Sequence, residues 1–391
     1  MEILVTVSYH YQGNLYPTAI FIHDQMKAYV RAGHQVRAVV TIPWGKRDDF
    51  GRRFGPAVRQ KEIDGIEHIF IRCLSFSRYG LGGLNRRCCL AALRRHMGKI
   101  RKLVSPDVIH AHSLGCAAAG GLLRERLGCP LVVTNHGESR CDEPWVSHPD
   151  WIAHAANRAD AVGCVSSVLE RQLRDLGVTV ETEVILNGFH VGAAELPPIA
   201  GRPPASLNYT GWLQKLKKLD VTLRAFSVLQ KTYSDAFFTV VGKGKTEEED
   251  QAPRKLAKEL GLEDRVSFLG YLKNEDAITE MGKARFFVMP SYPEGFGVVY
   301  LEAMAMGCIT IGTEGQGIAD LITSGENGFL VPPDDPGAIV KIITWCVEHP
   351  QEADRIAERG RRDALELTWD KNAAQYVRLF ETLRAEKTQC E

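Results

Sequence analysis

Short apolar runs alternate with amphipathic stretches along nearly the whole chain, and the alternation breaks once. In the first half, Ile3–Val7, Gln35–Thr41, Val108–His110, Leu131–Thr134, Ala161–Val165 and Glu183–Leu186 read as strands. Thr18–Ala32, Leu84–Leu103, Ala117–Leu127 and Ser166–Leu176 read as helices between them. Strands that alternate with helices predict a parallel sheet covered on both faces. The break is Glu195-Leu-Pro-Pro-Ile-Ala-Gly-Arg-Pro-Pro204, where proline excludes a regular element. The alternation then resumes with Ser206–Tyr209, Phe237–Val241, Arg265–Phe268, Phe286–Met289, Ile309–Gly312 and Phe329–Val331. The pattern predicts an α/β chain of two doubly wound domains, with a cleft at the carboxyl ends of their sheets.

Bulk composition narrows the partners. Lys plus Arg equals Asp plus Glu at 48 each in 391 residues, so no global field points to nucleic acid. The start, Met1 to Val7, reads as a strand and lacks the layout of a signal peptide. No apolar run approaches the length of a membrane span. The ten cysteines include no Cys-x-x-Cys pair, and Cys164, Cys308 and Cys346 lie in apolar runs. They read as buried thiols of a reducing cytoplasm, not as a disulfide frame or a zinc site. A cytoplasmic protein is expected.

One stretch carries the most chemistry: Ser291-Tyr-Pro-Glu294-Gly-Phe-Gly297-Val-Val-Tyr-Leu-Glu302-Ala-Met-Ala-Met-Gly307. The apolar run before it reads as a buried strand, Gly295 and Gly297 make a turn, and Val298 to Met306 reads as a helix. Glu294 then stands on the loop, and Glu302 lies inside the helix on the face of Val298. The first-turn N–H groups lack intrahelical partners and carry the positive end of the helix dipole, which makes a phosphate seat. A carboxylate just below suits vicinal hydroxyls, because it accepts two hydrogen bonds at once.

This stretch closely resembles the Glu-x7-Glu signature of the retaining glycosyltransferases of family 4, which have the GT-B fold. Gly211-Trp-Leu-Gln-Lys-Leu-Lys217 resembles that family's Gly-Arg-Leu-x-x-x-Lys-Gly loop and places Lys217 at the phosphate-binding lysine. Trp212 stands where the family has arginine, and Lys218 where it has glycine; Lys215 or Lys218 could replace the lost cation. Thr134-Asn-His136-Gly-Glu138 resembles the segment whose histidine faces the donor sugar. Gly13 matches the glycine loop of the first domain only in part. The pairs Gly315/Gly317 and Gly325/Gly328 match the downstream pattern and read as turns that support the site.

The resemblance implies two Rossmann-like domains, residues 1–190 and 191–369, with the last helix, 370–391, joined to the first. It implies transfer of a hexosyl group from a nucleotide diphospho-sugar to an acceptor hydroxyl, with retention and without metal or other cofactor. A UDP-sugar is expected in preference to a GDP-sugar. The implied catalytic residues are Glu294, Lys217 and His136. Gly211, Phe296, Gly297, Val298, Val299 and Glu302 are the implied donor-binding set, with Gly13 and Glu138 on the acceptor or phosphate side. The acceptor is a sugar, a lipid-linked molecule or a small metabolite, and the local wording points to cell-surface polysaccharide synthesis. A sugar-nucleotide 2-epimerase, a glycoside hydrolase and a non-catalytic nucleotide-sugar sensor stay open as rivals.

Three further features need a reading. Gly242-Lys-Gly-Lys-Thr246 ends like a P-loop, but Thr239 stands where the motif needs glycine and acids follow it. It reads as a turn. His110 and His112 read as structural. Leu84–Leu103 carries seven cations and no acid, which fits either an anionic membrane surface or a solvated outer face.

Overall fold

The computed structural model describes residues 1–7, 20–43, 57–74, 82–137, 149–190 and 196–390. The chain divides into two compact units, Met1–Gly188 with Trp369–Glu391, and Phe189–Thr368.

Among the described residues the first unit has one eight-stranded sheet, ordered β3-β4-β2-β1-β5-β6-β7-β8. Its strands are β1 Glu2–Val7, β2 Gln35–Pro43, β3 Val58–Ile63, β4 Ile66–Cys73, β5 Val108–His112, β6 Leu131–Asn135, β7 Ala161–Cys164 and β8 Glu181–Val184. All neighbours run parallel except β3 on β4. The β3–β4 hairpin was not among the strands read from the sequence. Its turn is Asp64-Gly65, and both residues have left-handed backbones (φ 52° and 76°), as a two-residue hairpin requires. Strand β3 is polar and partly exposed, so its apolar signal is weak.

The last helix, Trp369–Cys390, belongs to this unit because its apolar face completes the core. Trp369, Tyr376 and Phe380 are buried with Ile3, Val5, Tyr29 and Phe70. Tyr376 needs the absent side chain of Gly163, where a methyl group would collide with its ring and hydroxyl. Polar pairs fix the register: the Gln25 amide donates to Asn372, whose own Nδ2 donates to the Leu186 carbonyl at 2.7 Å.

Three histidines are buried in this sheet: His68, His110 and His112. Burial pushes His68 down to about 4 and His110 to about 3, and holds His112 well below the usual range. His110 sits in a hydrogen-bonded chain. Its Nδ1 lies 3.2 Å from the Tyr29 hydroxyl and its Nε2 2.7 Å from that of Thr134, which donates to Tyr376 at 2.8 Å.

In the second unit the described strands are β9 Ser206–Thr210, β10 Phe237–Val241, β11 Val266–Gly270, β12 Phe286–Val288, β13 Ile309–Thr313 and β14 Phe329–Val331. All pairs are parallel, in the order β11-β10-β9-β12-β13-β14. The order reverses between β9 and β12. Loops leaving two such strands diverge to opposite faces and open a crevice at the carboxyl edge. The proline-rich run, from Leu196, carries no regular element and is held to this unit by Arg202. That buried guanidinium donates to the carbonyls of Pro198, Ala284 and Met306 at 3.0, 2.8 and 2.6 Å.

The buried histidines make acid stability predictable. An unfolded histidine binds its proton near pH 6.5, and these folded ones only well below that. Between those values the unfolded chain holds more protons, so stability rises with pH. The contribution is complete above about pH 6.5 and is lost as pH falls toward 4 and 3. Denaturation of the first unit between about pH 7 and 4 should show this fall. His110→Phe should flatten the slope by up to about 1.4 kcal/mol per pH unit; an unaltered slope would mean that His110 titrates normally in the folded state.

Candidate functional site

The second unit gathers most of the expected site residues on the two loops that flank the strand-order reversal. From β9 the chain passes through Gly211 to a short 3-10 turn, Lys215–Lys217. From β12 it passes through the buried Met289 and Ser291 and a cis Tyr292–Pro293 bond to Glu294. The structure brings Lys217 and Glu294 together. The Lys217 ammonium pairs with Oε2 of Glu294, and both side chains are largely withdrawn from solvent. The Ser291 hydroxyl donates to the same oxygen at 3.0 Å.

The loop that leaves β10 approaches Gly211 closely. Its N–H donates to the Val241 carbonyl at 2.9 Å, and a methyl group on Gly242 would collide with its carbonyl oxygen. This accounts for the glycine of the P-loop-like run. The helix that follows, Glu247–Glu259, consumes its own N-terminal donors. Thr246 accepts from Glu249 N–H at 3.2 Å, Glu249 from Lys245 N–H at 2.7 Å, and Asp250 from Gly244 N–H at 3.0 Å. No phosphate seat is left there.

The helix Val298–Ala305 is built the opposite way. Its N-cap is Gly297, with φ 83°, and a methyl group there would strike the Tyr300 ring. Among the described α-helices of the second unit, it alone has neither an acid in its first turn nor a side-chain cap. Its first-turn N–H groups therefore have no capping side chain of the helix's own, and the nearest carboxylate is that of Glu294, beside Gly297. Val298 and Val299 are half-buried and Phe296 is buried. Glu302 lies one turn further on and accepts from the Asn274 amide at 3.1 Å.

Some supporting residues escaped the sequence reading. The Glu294 N–H donates to Gln316 Oε1 at 2.9 Å, and the Glu294 carbonyl accepts from Gly317 N–H at 3.2 Å. Gln316 and Gly317 thus clamp the backbone of Glu294 from both sides. Of the two alternative cations, Lys218 is engaged by Asp334 at 2.7 Å, and Lys215 is exposed.

In the first unit, His136 stands just past the carboxyl end of β6. Its Nε2 lies 3.2 Å from Nδ1 of His112, at the end of β5. The two rings are nearly parallel, and Phe21 packs against His136 with ring centroids 4.9 Å apart. Burial pushes His136 down to about 3, so its imidazole is neutral at neutral pH. His112, read from sequence as structural, is therefore a direct partner of an expected site residue. Gly13 and Glu138 lie outside the described residues.

Two Rossmann-like parallel sheets, each with loops gathered at its carboxyl edge, define a protein of the GT-B fold. The chain belongs to the glycosyltransferases of that fold. Residues 18–192 match the model of Glycosyltransferase Family 4, and residues 203–363 match that of Glycosyl transferases group 1. D-inositol 3-phosphate glycosyltransferase 2 of Catenulispora acidiphila is 29% identical over 312 residues, spanning 71% of this chain and 72% of its own. Sucrose-phosphate synthase from Thermosynechococcus elongatus superposes with a TM-score of 0.76 at 20% identity, covering 98% of this chain and 99% of its own. Anabaena HepE, solved with UDP and glucose, superposes with a TM-score of 0.74 at 21% identity, covering 98% and 100%. At these identities the structural likeness establishes the fold.

The clamp on Glu294 can be tested without any ligand. A methyl group on Gly317 would collide with the Gly295 carbonyl and with the Phe296 backbone, which cannot yield as a flexible side chain would. Gly317→Ala should destabilise the second unit by about 1–3 kcal/mol, the usual cost of overpacking. Equilibrium denaturation measures it, and a shift under about 0.5 kcal/mol would show that the loop is not held as described.

Proposed function

We propose that this protein is a retaining hexosyltransferase, which moves a sugar from a nucleoside diphosphate sugar to an acceptor hydroxyl. The observation that carries the reading is the convergence of Lys217, Glu294 and the uncapped helix end at Val298 on the two loops that flank the strand reversal. A diphosphate needs such a cation and such free N–H groups. HepE was solved with UDP and with UDP-glucose, which favours a UDP-sugar here over a GDP-sugar.

The roles follow from position. The N–H groups of Phe296 to Val299 hold the diphosphate and adjacent sugar oxygens, and Gly211 lets the donor approach the backbone. Glu302 binds the two ribose hydroxyls. Glu294 orients the donor sugar and holds Lys217 until phosphate charge draws the ammonium across. As the bond from anomeric carbon to phosphate oxygen breaks, the acceptor oxygen forms its bond on the same face. The acceptor's proton passes to the departing phosphate oxygen, so no protein nucleophile is required. Lys217 and the helix end balance the charge that develops there, which is work a metal ion does in other transferases. His136 offers a contact to a sugar substrate at the carboxyl edge of the first unit.

Glu302→Gln should fold and bind a UDP-sugar about 1–3 kcal/mol more weakly, the usual loss for a charged hydrogen bond. Lys217→Ala should lower kcat more than it raises KM, because phosphate charge is greatest in the transition state. Activity should persist in excess EDTA, and proton NMR should show a product with the donor's anomeric configuration. An inverted product, or magnesium-dependent rescue after EDTA, would refute the mechanism.

We further propose a lipid-linked acceptor met at the inner membrane surface, in the synthesis of surface polysaccharide. Among the described residues no helix is long and apolar enough to cross a membrane. The helix Gly82–Leu103 buries Leu93, Met97 and Ile100 and exposes Arg94, Arg95, Lys99, Arg101 and Lys102. A cationic side chain near an anionic bilayer contributes about 1 kcal/mol, and salt screens it. The protein should co-sediment with anionic vesicles at low salt, and Arg94→Glu with Arg95→Glu should release it. If the unaltered protein ignores anionic vesicles, a soluble acceptor is the better assignment.

A further inference from the structure

Outside the loops that seat a nucleotide, the groups nearest to chemistry are the two histidines at the carboxyl ends of β5 and β6. We propose that His112 is a positioning residue: it donates its Nδ1–H to Nε2 of His136 and fixes His136 as the Nδ1–H tautomer. His136 then offers a hydrogen-bond donor, and no basic nitrogen, to an oxygen of the sugar substrate. The substrate part of this inference rests on the sugar-transfer reading above; the tautomer does not.

The direction of the bond follows from the far side of His112. Nδ1 of His112 and Nε2 of His136 lie 3.2 Å apart, so one nitrogen carries the proton and the other accepts it. His112 is 2% exposed, and its own Nε2 has no hydrogen-bond partner among the described residues. If His136 donated, His112 would have to carry its proton on that Nε2, as a buried N–H without an acceptor. Orphaned buried N–H groups are rarer than under-used acceptors. The proton of His112 therefore sits on Nδ1, and the buried Nε2 keeps only a lone pair. Charging the ring would put a second proton on that same buried atom, so His112 stays neutral.

Neighbours hold the pair in this arrangement. His110 packs beside His112 with ring centroids 4.3 Å apart. Its own state is fixed in turn. The Thr134 hydroxyl donates to Tyr376, so His110 Nε2 must donate to Thr134 and its Nδ1 accept from Tyr29. His136 is confined by Phe21 and by the near-parallel ring of His112, 14° from its own plane. With Nε2 engaged, Nδ1 is the nitrogen left for a ligand on this half-buried ring. An imidazole whose remaining nitrogen carries its proton cannot take one from an attacking hydroxyl. The arrangement thus assigns proton removal to a group other than His136.

Three proteins decide the matter: the unaltered chain, His112→Asn and His112→Phe. Asparagine places an amide N–H near the position of Nδ1, whereas phenylalanine keeps the ring and loses the donor. Long-range proton–nitrogen NMR of 15N-histidine-labelled protein near pH 7 reads each tautomer directly. The unaltered chain and His112→Asn should show His136 protonated on Nδ1; His112→Phe should shift it toward the Nε2–H form. With UDP-glucose as donor, kcat/KM should fall on the order of 10- to 100-fold in His112→Phe, the scale for a misplaced contact, and largely recover in His112→Asn. UDP affinity by calorimetry should not change, because UDP carries no transferable sugar for His136 to contact. An Nε2–H tautomer of His136 in the unaltered chain would overturn the proposal. So would a His112→Phe variant with the unaltered chain's tautomer and rate. If phenylalanine prevents folding, the spectrum of the unaltered chain still decides the bond's direction. If no sugar nucleotide is turned over by the unaltered chain, the transferase reading fails while the NMR result stands.

Discussion

Parallel strands cannot be joined by tight turns, so every crossover returns the chain to the same edge of its sheet. In each unit the carboxyl ends of the parallel strands therefore open on one side, and loops distant in sequence meet there. This constraint brings Lys217 beside Glu294, 77 residues apart. It also brings His112, from the end of β5, beside His136, from the end of β6. In the second unit the strand order reverses between β9 and β12, and the loops leaving these two strands carry the ion pair and the helix that follows it. The other loops at that edge either close on themselves, as at Thr246, or support their neighbours, as at Gln316.

Electrostatics separates the loop at Val298 from the others at that edge. Helix N-termini attract anions, and most of those in the second unit satisfy that attraction with an acid of their own. Asp220, Glu247, Glu275, Asp335 and Glu352 each stand at or near such an end. The helix at Val298 has no acid in its first turn, and its glycine cap offers no oxygen from a side chain. Lys217 adds a positive charge on the adjacent loop, and Glu294 with Ser291 holds that charge in place. Breaking the pair would leave a partly buried charge uncompensated, which is costly. Under the transferase reading, an incoming phosphate would replace the carboxylate as partner, so the lysine would not be stranded.

What could be read from sequence is what is encoded locally. The strand, turn and helix around Glu294 and Glu302 lie within one short window, and glycine, proline and apolar spacing mark each step. The α/β class follows from the same kind of signal repeated along the chain. The hairpin Val58–Cys73 was missed because β3 is polar and partly exposed, although Asp64-Gly65 marks its turn. The partners of the site were not legible for a different reason. Gln316 reaches Glu294 across 22 residues, Asn274 reaches Glu302 across 28, and His112 reaches His136 across 24. No periodicity records such pairings; they follow from which strands become neighbours. At Gly242 the sequence reads as a turn, and the structure supplies the reason for the glycine, close backbone approach to Gly211.

The two units also differ in how burial is used. At the end of β12 opposite charges are paired, the Lys217 ammonium with the Glu294 carboxylate. At the ends of β5 and β6 burial removes charge: His110 and His136 are held near 3 and His112 well below its usual value. A phosphate needs full charges opposite it, whereas a sugar hydroxyl needs a neutral, fixed donor or acceptor. A charged imidazole beside a hydroxyl would be costly to desolvate and would not distinguish one sugar oxygen from another. A neutral one with a fixed tautomer presents a single N–H in a single direction. Under the transferase reading, the selectivity of the first unit for its sugar would then lie in the orientation of His136, set by His112 behind it and Phe21 beside it, and not in the strength of any charge.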